Sequence, residues 1–250
     1  IADPNKVVVA QVAPAVRAAW GEALGFSREE ATVGKIMDSL KRLGVDYVFD
    51  TTFSADLTIM EEGTELLHRI QNGGVMPMIT SCCPAWIKFC ETYYPEQTDH
   101  LSTCKSPQQM FGPIIKTWCA DKMGLDPGNI FSVSIMPCTA KKFEAQREEL
   151  AGIGYPDVDA VLTVRELGRM IKQAGIDFVR LPDEDFDDIL GESSGAAVLF
   201  GATGGVMEAA LRTVYEKVTG NTLEDVNLTA VRGMAGIREA EIDLAGTKVR

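Results

Sequence analysis

Apolar and polar positions along the chain alternate between two periods. Short β-branched runs are followed by segments whose apolar residues recur every three to four positions, the pattern of an α/β domain with parallel strands. The run Val7-Val8-Val9-Ala10-Gln11-Val12 predicts a buried strand. Ala13-Pro14 then opens a helix through Arg17, Trp20 and Leu24, with proline in the first turn. A second helix is expected over 29–43, ended by Gly44, then a strand at 47–49 and a helix over 56–70. Residues 76–79 read as a short strand ahead of a helix from Ala85, and 107–122 as another helix. Strands are expected at 130–135, 158–162 and 178–181, with a helix between the last two. Gly201 to Gly205 opens a long helix to about Val218, and the tail from Leu228 reads as strands.

Two cysteine motifs fall where a strand hands over to a helix. Thr80-Ser81-Cys82-Cys83-Pro84-Ala85-Trp86 is one and Ile135-Met136-Pro137-Cys138-Thr139-Ala140-Lys141-Lys142 the other. In open α/β sheets the carboxyl edge of the strands is where ligands bind, because helix N-termini and loop amides converge there. Adjacent cysteines point in different directions, so one can bind metal while the other faces another part of the pocket. A helix N-terminus also stabilises a thiolate. Taken alone, the Cys82-Cys83 pair reads equally well as two buried apolar side chains. Lys141, three residues after Cys138, can face the same side of the first helical turn; alone it reads as an ordinary exposed lysine.

A chain of 250 residues, 46% hydrophobic, can bury one large domain or two fused lobes. Its net charge of −12 argues against nucleic acid and anionic membrane as partners. Part of that charge is the run Asp183-Glu184-Asp185 with Asp187 and Asp188, expected to be a solvated loop. No apolar stretch approaches the ~20 residues needed to span a bilayer. Six cysteines are too few for a disulfide scaffold of this size, so they are expected to be reduced, in the cytoplasm or, less directly, the periplasm. Both chain ends read as cuts.

The two cysteine motifs together resemble the first two cysteine signatures of the iron-only ([FeFe]) hydrogenases. So do Thr58-Ile59-Met60-Glu61-Glu62 with Glu65, Ser102 ahead of Lys105-Ser106-Pro107-Gln108-Gln109, and Phe200-Gly201-Ala202-Thr203-Gly204-Gly205-Val206-Met207-Glu208. The resemblance runs from about Val7 to the last residue and implies a two-lobed α/β domain, with mainly parallel sheets and the site at strand ends between the lobes. It implies an H-cluster: a [4Fe–4S] cubane joined to a diiron unit with CO, cyanide and a dithiolate bridge. Cys83 and Cys138 match two cubane ligands; the other two belong to a third motif, which this chain lacks.

By the same resemblance Cys82 is the proton-transfer thiol, and a path runs from it through Glu62, Ser102 and Glu65 and out past Arg69. Without the family context, Glu62, Glu65 and Arg69 read as a salt-bridged helix face. Lys141 matches the residue that hydrogen-bonds a cyanide, and Met136, Gln108, Pro107 and Phe200 match the walls of the diiron pocket. Ala13-Pro14-Ala15 matches a loop over the other cyanide, with the Ala15 backbone N–H as donor. H2, protons and a ferredoxin-like or NAD-linked electron-transfer domain or subunit are the implied partners. Cys90 and Cys119 are expected in the core, Cys104 near the pocket, and His68 and His100 on the surface. The alternatives are a non-catalytic iron–sulfur assembly factor or a hydrogen-sensing regulator of the same fold. Cys82, Glu62, Glu65 and Lys141 argue against the first, and the unaltered proton path against the second.

Overall fold

The computed structural model describes residues 1–27, 29–200, 204–223, 229–231 and 234–249. Its centre is a parallel four-stranded sheet of order β2-β1-β3-β4, formed by β1 (Val7–Val12), β2 (Tyr47–Asp50), β3 (Ile130–Met136) and β4 (Ala160–Thr163). β1 pairs on both sides, with Val9 opposite Tyr47 and Ser132, which is why its run is apolar but for Gln11. On one face Val8, Ala10 and Val12 meet Trp20 of α1 (Val16–Leu24), Ile36 and Leu40 of α2 (Val33–Arg42), and Leu167 and Ile171 of the helix that follows β4. On the other, Val9 and Phe49 pack against Phe111, Ile115 and Cys119. Those residues belong to α5 (Pro107–Ile114), a π-wound stretch (Ile115–Cys119) and α6 (Ala120–Met123).

The helices α3 (Thr52–Asn72), α4 (Pro84–Tyr93), α7 (Ala140–Glu144), α8 (Val164–Gln173), α9 (Gly195–Leu199) and α10 (Gly205–Thr219) complete the frame. α8 opens with a capping box between Thr163 and Glu166, whose carboxyl is drawn down to about 2, first by the Thr163 amide. The tail forms antiparallel pairs, β5 (Thr229–Val231) with β6 (Met234–Glu239) and β7 (Ile242–Leu244) with β8 (Thr247–Val249). Ile242 and Leu244 pack on Leu66 of α3 and Leu211 and Val214 of α10. Among the described residues, an α/β core with one parallel four-stranded sheet flanked by helices is thus joined by two antiparallel pairs.

Several expected elements change. Pro14 precedes α1 instead of sitting in its first turn, and α2 starts at Val33, after an extended Thr32 bonded to Asp183. Residues 76–79 form no strand: Val75 and Met76 are exposed, Pro77 has no N–H to give, and Ile79 alone bridges to Leu101. Residues 178–180 form a 3₁₀ turn, because Phe178 and Leu181, one turn apart, are the buried pair, with the Phe178 ring 4.4 Å from that of Trp20. Gly201 to Thr203 lie outside the described residues, and α10 is entered at Gly205.

The acidic run is an exposed loop, as its composition implies, with Asp187 alone of its five acids half-buried. It straps the open edge of β2: Asp187 donates its N–H to the Val48 carbonyl at 2.9 Å, and its carboxylate accepts from Val48 N and Lys41 Nζ, both at 2.7 Å. The strap satisfies backbone groups that an edge strand would otherwise expose.

α5 lies so close to the 156–159 segment that a Cβ at Gly112 would fall 2.0 Å from the Asp157 carbonyl oxygen. Lys105 and Lys116 clamp the same segment, pairing with Asp157 and Asp159 at 2.6 Å. Gly112→Ala is expected to lower unfolding stability by ~1–3 kcal/mol, read from the denaturant midpoint.

Candidate functional site

Parallel strands release their chains at one edge, and the candidate site lies there. Ala13, Pro14 and Ala15 leave β1; Met136, Pro137 and Cys138 leave β3; Cys82 precedes α4; Pro107 and Gln108 open α5; Phe200 ends α9. Together with Thr51, Ala55 and Lys141 they line a cavity of about 380 Å³. The sequence-predicted wall residues are thus brought together, Arg69 excepted.

A few polar groups organise this apolar cavity. Lys141 Nζ donates to the Cys82 carbonyl and to Glu144, both at 2.9 Å. Gln108 Nε2 donates to Glu144 at 3.0 Å, and its carbonyl oxygen accepts from Ser134 Oγ at 2.9 Å. Glu144 therefore fixes both polar groups of the wall. Sequence reasoning did not single it out, although its position one turn after Lys141 was the available signal.

The two cysteine junctions stand side by side, joined by the bond from Lys141 to the Cys82 carbonyl. α4 and α7 run on from them in contact: just beyond α7, Arg147 bonds Glu91 of α4 at 2.5 and 3.2 Å, and Lys88 sits over the Phe143 ring. Cys83 is the N-cap of α4, with Pro84 following, and Cys138 lies between β3 and α7. Both thiols are free and exposed. Thiolate pairs of this kind suit an iron–sulfur cluster, but a cubane takes four. These two offer two thiols, and among the described residues no group of three His, Cys, Asp or Glu side chains could hold a metal ion alone. Cys90 and Cys119 are core residues, the latter pushed up to about 11 by burial. His68 is exposed, whereas His100 is half-buried, with its Nδ1 2.8 Å from the Pro77 carbonyl.

From Cys82 an ionisable array leads away from the cavity. Burial, above all, pushes the Cys82 thiol up, and nearby Glu62 adds to it. Glu62 is 1% exposed, and neither carboxylate oxygen has a hydrogen bond of ordinary geometry among the described residues. Burial raises its carboxyl; the Ser81 amide and Ser102 hydroxyl pull weakly the other way. Ser102 Oγ donates to Glu65 Oε2 at 2.8 Å, and Arg69 donates to Glu65 Oε1 at 3.0 and 2.6 Å. Burial works to raise Glu65 as well, yet Ser102, Arg69 and the Thr103 amide outweigh it and hold it below the ordinary value. Cys104 is next to this array, its thiol 3.6 Å from Glu65 Oε2 and pushed up to about 12 by burial. One helix thus carries two glutamates, three residues apart, with opposite shifts.

The family model for the iron only hydrogenase large subunit, C-terminal domain, matches residues 6–250. This chain belongs to the iron-only hydrogenases. It is 52% identical over its whole length to the NADP-reducing hydrogenase subunit HndD of Solidesulfovibrio fructosivorans, covering 44% of that protein. It is 51% identical to the periplasmic [Fe] hydrogenase large subunit of Nitratidesulfovibrio vulgaris, with 97% of this chain and 58% of that one aligned. The fold matches apo [FeFe]-hydrogenase HydA1 from Chlamydomonas reinhardtii with a TM-score of 0.85 and 49% identity, over 96% of this chain and 61% of that chain. Cytosolic iron-sulfur assembly component 3 of Bos taurus is more distant, at 29% identity over 92% of this chain and 50% of that protein. The chain spans about half the length of the curated relatives it matches. No helix among its described residues is long and apolar enough to cross a membrane.

The paired glutamates give this hydrogenase domain a pH signature. Glu65 binds its proton more weakly folded than unfolded, so its contribution is present above the ordinary value of 4.5 and lost as pH falls through the folded value. Glu62 binds its proton more tightly folded, so its ionisation costs stability as pH rises above 4.5. Chemical denaturation across pH should show Glu65→Gln losing stability at neutral pH, a loss that shrinks on acidification. Glu62→Gln should gain stability relative to wild type as pH rises. Parallel curves for the two variants would contradict the assigned shifts.

Proposed function

We propose that this chain is the greater part of a catalytic domain that interconverts H2 with protons and electrons at an H-cluster. The observation that carries this is the array from the cavity wall at Cys82 through Glu62 and Ser102 to Glu65, since a protein that only held a cluster would have no use for it. Cys83 and Cys138 would be two of the four thiolate ligands of a [4Fe–4S] cubane, and the cavity beside them would receive the diiron unit with its CO, cyanide and dithiolate groups. When bound, that group supplies the H–H chemistry and the electron storage; the protein contributes ligation, a dry pocket and a proton route.

The residues divide that work. Two of the three Lys141 N–H bonds are held by Cys82 and Glu144, which aims the third at the cavity as a donor to an anionic ligand such as cyanide. The backbone N–H of Ala15, beside Pro14, serves the opposite wall. Met136, Pro107, Phe200 and the aliphatic part of Gln108 exclude water. Cys82 Sγ gives and takes the proton at the cavity. Glu62, whose carboxyl burial raises, carries it on, and Ser102 and Glu65 follow. Arg69 holds Glu65 in place and is not a cofactor contact.

Electrons would leave through a ferredoxin-like domain or an NAD-linked subunit, in keeping with the HndD relative's name. The six free cysteines agree with a reducing compartment such as the cytoplasm, although one relative is named periplasmic.

In the full-length enzyme, Cys82→Ala should cut H2 turnover by about 10²–10⁴-fold with iron content unchanged. Cys138→Ala should instead lose iron. Full turnover in Cys82→Ala would remove the basis for the array as a proton route.

A further inference from the structure

Each of the two proposed cluster thiols stands at a helix start, Cys83 at α4 and Cys138 ahead of α7. Their spacing and aim therefore follow from how those helices lie against each other. At the mouth they are tied by one bond, from Lys141 Nζ to the Cys82 carbonyl at 2.9 Å. A single hydrogen bond leaves two helices free to swing and roll about it, and a roll turns a helix-start sulfur away from a shared cluster. A second anchor, further along, removes that freedom.

Arg147 supplies it. Arg147 lies just past α7, and its partner Glu91 is eight residues after Cys83 on α4, about 12 Å from the mouth at ~1.5 Å per residue. Nη2 donates to Glu91 Oε1 at 2.5 Å and Nη1 to Oε2 at 3.2 Å, a two-pronged pairing that fixes a plane as well as a distance. Nε donates to Glu149 Oε1 at 2.5 Å and steadies the guanidinium. Between mouth and clasp, the Phe143 ring of α7 carries two cations, Lys88 Nζ at 5.7 Å and the Arg147 guanidinium at 5.9 Å. The Arg147 and Glu91 side chains are 21% and 33% exposed. Ion pairs so exposed add little to stability, so what this one offers is geometry.

We propose that Arg147 is a positioning residue for the cluster: its grip on Glu91 fixes α4 against α7 and so holds Cys83 and Cys138 at a separation and aim that one cubane can bridge. Arg147 does not line the active-site cavity, so it acts through helix placement. Ligands held in place rebind an iron that lets go; ligands free to splay do not. The proposal rests on the ligand assignment made above.

A metal-bound thiolate is shielded from alkylation, so thiol labelling reads these two sites whatever other clusters the enzyme holds. Full-length holoenzyme is mixed anaerobically with an iron chelator and iodoacetamide, and alkylation of the Cys83 and Cys138 peptides is followed by mass spectrometry. Arg147→Gln and Glu91→Gln should each unmask both cysteines at least ~10-fold faster than wild type. The double variant should be no faster than the faster single, since all three lose the same contact. Arg147→Lys keeps the charge without the fork and should fall between. Glu149→Gln should stay within twofold of wild type. So should Lys41→Gln, which breaks a pair of similar exposure on the β2 edge. Cys119, 0% exposed, reports unfolding and must stay unlabelled in every variant compared. A folded variant that arrives with both thiols already reactive shows the same loss. Wild-type rates in Arg147→Gln, or in Arg147→Lys where the glutamine variant does not fold, overturn the clasp, as does equal acceleration in Lys41→Gln. Prompt alkylation of both cysteines in wild type without chelator sinks the ligand assignment itself.

Discussion

Parallel pairing of β1 with both β2 and β3 is the constraint on which this molecule depends. Strands that run in one direction must all end at one edge, and each must be followed by a crossover before the next begins. Segments far apart in sequence, 13–15 and 136–138, therefore emerge next to each other. The apolar run of β1 could not serve as an edge or a one-faced strand, because both its neighbours and both its faces are covered. The lip left at that edge is where Cys138 and Lys141 are set against Cys82, and the bond from Lys141 to the Cys82 carbonyl joins the two junctions.

Burial does different work on similar groups. Glu62 and Glu65 share a helix and a face, yet one is drawn up and the other down. Glu62 lost water and, among the described residues, gained no bond of ordinary geometry; Glu65 lost part of its water and gained a serine, an arginine and an amide. A proton therefore rests more readily on the inner residue than on the outer one, which suits a relay that keeps a proton in reserve near the reactive site. Among the described residues the buried side chains of Glu62 and Gln109 make no hydrogen bond of ordinary geometry, a cost to stability of the kind that collects at functional sites rather than in cores.

The same network explains why the lining stays rigid. Gln108 is held by Ser134 from the sheet and by Glu144 from α7, while Gln11 of β1 donates to the Gln108 carbonyl. α5 thus enters the site clamped from three directions, and Gly112 lets its far side press on the 156–159 segment. A pocket built this way presents fixed groups to whatever fills it, and preorganisation of that kind is what a protein can add to chemistry that belongs to a cofactor.

The sequence by itself determined the four strands of the parallel sheet, the main helices, the strand end before Cys138, the helix start after Cys83 and, through family resemblance, which residues line the cavity. These are local patterns and fixed spacings, written in hydrophobic period and in Cys, Pro and Lys positions. Tertiary structure decided what neighbours in space decide. Phe178 turned instead of extending because Trp20 offered a ring to pack on. The acidic run became a strap because β2 had an unpaired edge. Glu144 acquired its role by facing Gln108 across the chain fold, and Arg69 proved to be a brace because three distant carbonyls took its remaining protons. None of those partners lies within a helical turn of the residue concerned, so no reading of local pattern could have named them.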